Sequence, residues 1–277
     1  MKVRETMAMD ILEAPFMQEL IRTCGSMYRL GWNERNGGNI SMIIDEGEFA
    51  FLGNLPILRN FSISFDAKDV AGRFLAVTRG GSYFRNVEID PAHNLGILRI
   101  SDDGKSAGLL WGFTGEGQPT SELSAHIRSH TARLRQDPHH QVVTHCHATN
   151  TVAMTYIHEL SDKAFSHTLW QMESECIVVF PEGVGVLPWM IQGSDEIGKA
   201  TAAKMESYRV CIWAQHGVFA AGGSLDEAFG LLETVEKAAT IYIKIGRGGI
   251  MNTIRDHELK SLAEAFKVNY RKDFLSL

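Results

Sequence analysis

Gln141-Val142-Val143-Thr144-His145-Cys146-His147-Ala148-Thr149-Asn150 is the stretch on which the fold turns. Residues 141–147 read as a strand, and Asn150 to Leu160 is expected to return to helix. A strand alternates its side chains, so His145 and His147 share one face while Cys146 takes the other. Two imidazoles on one face can both reach one zinc ion at about 2.0–2.1 Å. The same pattern also serves as a pair of hydrogen-bonded sheet residues, and spacing alone does not choose between them. His216 is a third candidate. It follows a strand read over Val210–Trp213 and precedes Gly217, at a strand end suited to facing a cleft.

Working outward, Phe16, Met17, Leu20, Ile21, Met27, Tyr28 and Leu30 recur at helical spacing and predict a helix over residues 15–31. A polar, glycine-rich turn follows at Asn33–Asn39, then a strand over Ile40–Ile44. Residues 46–68 read as a loop-rich insertion with one strand, Phe61–Phe65. Strands are expected at 74–78, 95–100 and 109–113, the last two as a hairpin turning at Asp102-Asp103-Gly104. Ser121 is placed to cap a helix with Glu122 in its first turn, and Ile127, His130 and Leu134 give that helix an apolar side. Glu175–Phe180 reads as a strand. Ser194 opens another helix, Ser224 and Glu227 form a capping box before a long helix ending near Gly246, and Asp256–Val268 is the last helix. One α/β domain spanning 1–277, with mixed strand order, accounts for these elements.

Composition narrows the function. Lys and Arg number 27 against 33 Asp and Glu, a net charge of −6, so the basic footprint of a nucleic-acid binder is missing. No run of eighteen apolar residues suggests a membrane span, and Met1–Pro15 lacks the apolar core of a signal peptide. The four cysteines have neither disulfide-scaffold nor zinc-knuckle spacing, which points to a reducing, cytoplasmic setting.

Further residues carry candidate chemistry. Glu122, at a helix start, meets unpaired N–H groups and a positive dipole end that favour an anion, although a first-turn glutamate often only caps. Glu173 and Glu175 precede Cys176, and Glu175 reads equally as a core-edge carboxylate. Asn36 and Asn39 flank two glycines; Gly80-Gly81-Ser82 forms a second bend; Thr120 and Ser121 add hydroxyls. Together these three sets would make a nest for a phosphate, whereas neither a dinucleotide fingerprint nor a P-loop occurs. His126 and His130 form a helical i,i+4 pair without the glutamate of H-E-x-x-H, so a structural role is expected of them.

The segments GWNERNGGN (31–39), FRNVEIDPAHNLGI (84–97), PTSELSAH (119–126), THCHATN (144–150), VFPEGVGVLPWM (179–190), GSDEIGKAT (193–201) and QHGVF (215–219), with Leu169-Trp170 and Ser174-Glu175-Cys176, run in order along nearly the whole chain. This set resembles the class II, zinc-dependent sugar-phosphate aldolases. Their superfamily also holds fuculose-phosphate aldolases, pentulose-phosphate 4-epimerases and the metal-free adducin head. The resemblance implies a three-layer α-β-α fold around a central, largely antiparallel sheet, assembled as a homotetramer. It implies Zn²⁺ on His145, His147 and His216, with Glu122 as the base that moves the carbon-bound proton. It implies Glu175 near the aldehyde oxygen from a neighbouring subunit, and Asn36, Asn39, Gly80, Gly81, Thr120 and Ser121 around the phosphate of a ketose 1-phosphate. Thr78-Arg79-Gly80-Gly81 departs from the family's usual Thr-Gly-Ser-Gly, so Gly80 lacks a hydroxyl found in relatives. The complete histidine set plus Glu122 argues against a non-catalytic module.

Overall fold

The computed structural model describes residues 11–276 except 46, 48–51 and 247. One nine-stranded sheet runs through it in the order β2-β5-β4-β3-β1-β6-β9-β8-β7. Its strands are β1 (Asn39–Ile43), β2 (Arg59–Ser62), β3 (Phe74–Thr78), β4 (Leu95–Ile100), β5 (Ser106–Gly112), β6 (Val142–Cys146), β7 (Gly185–Leu187), β8 (Val210–Trp213) and β9 (Gly217–Gly222). All neighbours pair antiparallel except β7 with β8. The helices are α1 (Pro15–Arg29), α2 (Pro91–Asn94), α3 (Leu123–Gln136), α4 (Thr149–Met154), α5 (Asp162–Met172), α6 (Ser174–Val179), α7 (Asp195–Met205), α8 (Leu225–Ile245) and α9 (Asp256–Ala265).

Strand alternation sorts the core into two layers. Ile40 and Met42 of β1, Val142 and Cys146 of β6, and Val218 and Ala220 of β9 enter a large apolar cluster with α1, α5, α6, α8 and α9. Val143, Cys211, Trp213, Phe219 and Ala221 point the other way, against Ala125 and Ala132 of α3 and Ile197 of α7. Helices thus cover both faces of a largely antiparallel sheet, as the resemblance implied.

Several elements differ from the sequence reading. Residues 175–180 form no strand: Ser174–Val179 is helix α6, with Cys176 and Ile177 inward. A short apolar run has no period of its own, and packing chose the helix. The helix expected over 150–160 is interrupted. It stops at Met154, and α5 begins anew after Ser161, whose hydroxyl accepts the Ala164 N–H. Strand β2 lies at 59–62, not 61–65, and part of the expected 46–68 insertion falls outside the described residues. Ser121 does not cap α3. Glu122 occupies the N-cap position and its side chain makes no cap bond, leaving the carboxylate to face elsewhere. The expected caps at Ser194 and Ser224 do form, each accepting an N–H from the first turn.

The turn from β6 into α4 is held by a buried anion. Glu236 of α8 is only 6% exposed. Its carboxylate accepts the Asn150 and Thr151 N–H groups at 2.9 and 2.8 Å, the Asn150 amide at 2.8 Å and the Thr151 hydroxyl at 2.7 Å. It satisfies the orphan donors of the α4 N-terminus and complements its dipole. Replacing Glu236 with Leu leaves four donors without their acceptor. The expected loss of unfolding free energy is about 2–4 kcal/mol, measurable in urea, with Glu236→Gln recovering part of it.

Candidate metal centre and adjoining cleft

His145 lies on the last turn of the pleat in β6, beside Phe219 in register on β9 and opposite Asn39 on β1. Its ring stacks on Phe219 at 4.5 Å between centroids, and its Nδ1 lies 3.1 Å from the Val218 carbonyl. Nδ1 must donate to that carbonyl, so Nε2 carries the free lone pair. His145 Nε2 is buried and has no hydrogen-bond partner. His147, just past the strand, donates from Nδ1 to Glu34 Oε1 at 2.8 Å, which likewise leaves its Nε2 lone pair available. His216 follows Gln215, whose φ of +56° lies in the left-handed region. Thr155 holds that strained residue: its Oγ1 accepts the Gln215 N–H at 3.0 Å, and its carbonyl accepts the side-chain amide at 3.1 Å. The Nδ1 of His216 is also buried without a partner.

The three imidazoles each bring a ligand atom within 4.8 Å of the others. The orphaned Nε2 of His145 and a set of three convergent imidazoles fit a divalent ion. Burial holds His145 far below the usual imidazole pKa and takes His216 down to about 4, so both keep the unprotonated form that binds metal. Close approach needs Gly217. A Cβ there would lie 2.4 Å from the Cys146 carbonyl and 2.7 Å from the His145 ring. Gly38, with φ of +75°, makes the matching turn before β1, where a Cβ would sit 1.9 Å from the Asn33 amide.

Glu122 faces this cluster. It is 6% exposed, with Oε2 3.6 Å from His145 Nε2 and Oε1 4.0 Å from His216 Nε2. Burial raises its pKa, opposed by a 2.8 Å hydrogen bond from the Asn39 amide nitrogen and by the nearby His147. A carboxylate placed here is within reach of a proton on a molecule bound beside the histidines.

A cleft of about 190 Å³ opens beside the cluster. Asn36, Asn39, Gly80, Gly81, Thr120, Ser121, Glu122, His147 and His216 all line it, with Arg79 and Gln192. Not every lining group is equally available. Gly80 spends its N–H on the Gln118 carbonyl at 2.8 Å, and Asn39 commits its oxygen and one amide hydrogen to His126 and Glu122. Thr120 accepts the Glu122 N–H at 3.2 Å and keeps its hydroxyl hydrogen. Glu175 is not brought in: it lies exposed in the first turn of α6 and does not line the cleft. Glu34, Thr155 and Gln192 escaped sequence reasoning, because each acts through a contact between distant segments. The φ-positive Gln215, directly before His216, left no signal either.

The profile of the class II aldolase and adducin N-terminal domain matches residues 18–243. Rhamnulose-1-phosphate aldolase of Listeria monocytogenes is 52% identical over 98% of this chain and 100% of its own length. The enzyme of that name from Enterococcus faecalis is 49% identical, covering 96% of each chain, and that of Mannheimia succiniciproducens 43%, covering 94% and 97%. Among solved structures, a sugar-phosphate aldolase from Thermotoga maritima superposes with a TM-score of 0.73 at 28% identity, covering 84% of this chain and 95% of that one. An L-fuculose 1-phosphate aldolase shares the fold, with a TM-score of 0.62 at 22% identity over 92% of this chain and 97% of that one. The matched profile spans most of the chain and includes every histidine of the cluster, and the chain therefore belongs to the class II aldolase and adducin family.

Proposed function

We propose that the chain is an aldolase that reversibly cleaves L-rhamnulose 1-phosphate to dihydroxyacetone phosphate and L-lactaldehyde in L-rhamnose catabolism, with one zinc ion per subunit. The observation that carries this reading is one cleft lined by His147, His216, Glu122 and a row of phosphate-sized donors, with His145 behind it. The full-length relatives at 43–52% identity bear that enzyme's name, which favours it over fuculose-phosphate aldolase or pentulose-phosphate 4-epimerase chemistry.

The reaction breaks C3–C4 of the ketose. The O4 proton passes to the carboxylate proposed at that oxygen, Glu175, C4–O4 becomes the aldehyde carbonyl, and the bonding pair stays on C3 next to the C2 carbonyl. C3 then takes a proton to become the hydroxymethyl carbon of dihydroxyacetone phosphate. A divalent ion on His145, His147 and His216 supplies a Lewis-acid charge for the electron pair released in that step. Glu122 delivers the proton to C3 in cleavage and removes it in synthesis. Asn36, Gly81, Thr120 and Ser121 take the phosphate, with Gly80 at the bend and the spare amide hydrogen of Asn39 alongside. They fix the dihydroxyacetone phosphate half and supply binding energy remote from the broken bond. Glu175 acts at the aldehyde oxygen from a neighbouring subunit of a homotetramer. Exposed apolar residues support assembly: Trp189 and Ile191, 61% and 64% exposed, lie next to the cleft residue Gln192. Four buried free cysteines support a cytoplasmic setting, and among the described residues no helix is long and apolar enough to cross a membrane.

Release of dihydroxyacetone phosphate, measured across a panel of ketose 1-phosphates, tests the reading. The expected result is fastest release from L-rhamnulose 1-phosphate, abolished by a chelator and restored by zinc. Metal-loaded protein that cleaves none of the panel would sink it. Metal analysis of two variants separates binding from proton transfer: His147→Ala should lose metal and activity together, whereas Glu122→Gln should keep metal and lose roughly 10²–10⁴-fold in rate. Asn36→Ala should leave metal content intact and weaken substrate binding by about 1.5–3 kcal/mol, read as a raised KM. An unchanged KM assigns Asn36 to the turn alone.

A further inference from the structure

Behind Glu122 a line of polar side chains runs into the core between β1 and α3. Glu122 Oε2 accepts from Asn39 Nδ2 at 2.8 Å, and Asn39 Oδ1 bonds His126 Nε2. His126 Nδ1 lies 2.7 Å from Ser41 Oγ, and Ser41 Oγ lies 2.8 Å from His130 Nε2. His130 Nδ1, the far end, is buried with no partner. Ser41, His126 and His130 are at most 1% exposed. We propose that His126, oriented by Ser41 and His130, is a positioning residue that locks the Asn39 amide with its nitrogen toward Glu122.

Hydrogen-bond accounting gives the line one direction. An ionised Glu122 only accepts, so Asn39 must present its NH₂ to it and its oxygen to His126. His126 then carries its hydrogen on Nε2 and accepts at Nδ1 from the Ser41 hydroxyl. Ser41 in turn accepts from His130 Nε2–H, which leaves the His130 Nδ1 lone pair as the orphan. Run backwards, the line would need a protonated Glu122 and would strand an N–H in the core, and buried orphan N–H groups are rarer than unpaired acceptors. Both ends therefore favour the same polarity. Burial keeps both imidazoles neutral, His130 with a pKa of about 3.

A purely structural role accounts poorly for this arrangement. His126 packs on Phe219 at 5.4 Å between centroids, in a core where apolar side chains would fill the space without leaving an orphan. What the polar line achieves is orientation. With Oε2 tethered through Asn39, Oε1 remains for the reacting proton. Donors aligned in one direction also polarise one another, which strengthens the last bond onto the carboxylate.

Two measurements test the proposal, the second resting on the aldolase reading. The first is the ¹⁵N signature of the metal-free wild-type protein, which needs no substrate. His126 is expected with hydrogen on Nε2 and an unprotonated Nδ1; hydrogen on Nδ1 would overturn the proposal. The second is kinetic. His126→Phe should lower kcat about 10–100-fold, the usual range for residues supporting a site from behind, with zinc content unchanged and KM raised far less than kcat falls. His126→Gln places an amide N–H where Nε2–H was and should recover most of the rate at any thermal stability. A folded His126→Phe within twofold of wild type, or a Gln variant no faster than Phe, overturns it. If the Phe variant does not fold, Ser41→Ala serves: it should shift the His126 tautomer population and lower kcat, and no change in either counts against the proposal. Failure of the wild type to cleave any ketose phosphate would defeat the aldolase reading, while the tautomer measurement would still decide the line.

Discussion

The register of three strands, β1, β6 and β9, is the constraint from which the rest of the site follows. Pairing sets Asn39 against His145 and His145 against Phe219, so the carboxylate's anchor, one imidazole of the candidate metal site and its stacking partner lie in one row across the sheet. A slip of one residue in either pairing would turn every side chain to the wrong face. It would send His145 into the large core and Cys146 toward Glu122. The same row fixes which nitrogen of His145 is free, because the Val218 carbonyl on β9 claims the other.

Everything else at the site is a device for bringing chain ends up to that row. Gly217 lets β9 start directly under the two histidines, and Gly38 lets β1 start against the chain at His145. Thr155 props the strained Gln215 so that His216 enters from the side. Glu236 anchors the start of α4, and with it the short link that follows His147. These supports come from distant parts of the chain: Glu236 lies 86 residues from Asn150, and Gln215 lies 60 from Thr155. A histidine cluster built this way gains its geometry from the whole domain.

Legibility in the sequence followed the range of the interaction. Strand-like composition revealed β6, period-2 alternation put His145 and His147 on one face, helical spacing revealed α1 and α3, and a capping box revealed α8, each within a few residues. Caps at Ser194 and Ser224 were readable because a cap is local. The Ser121 cap failed because the chain there serves the cleft before it serves the helix, with Glu122 turned toward histidines instead of the first turn. Helix α6 was misread because six apolar-rich residues fit either structure until Cys176 and Ile177 meet their neighbours. His126 and His130 showed their spacing but not their purpose, which depends on a serine 85 residues away from His126. The family resemblance supplied the roles expected of Glu122 and the phosphate donors, which no spacing could have assigned.

The pleat also decides what the centre excludes. Cys146 sits between the two histidines in sequence, yet its side chain joins the large core on the opposite face, where burial keeps the thiol protonated. The pocket offers imidazole nitrogen and carboxylate oxygen and no sulfur. Soft ions such as Cu(I), which seek thiolate, find no ligand suited to them here. Oxidants that disable thiolate-built centres meet no sulfur among the residues lining the cleft either.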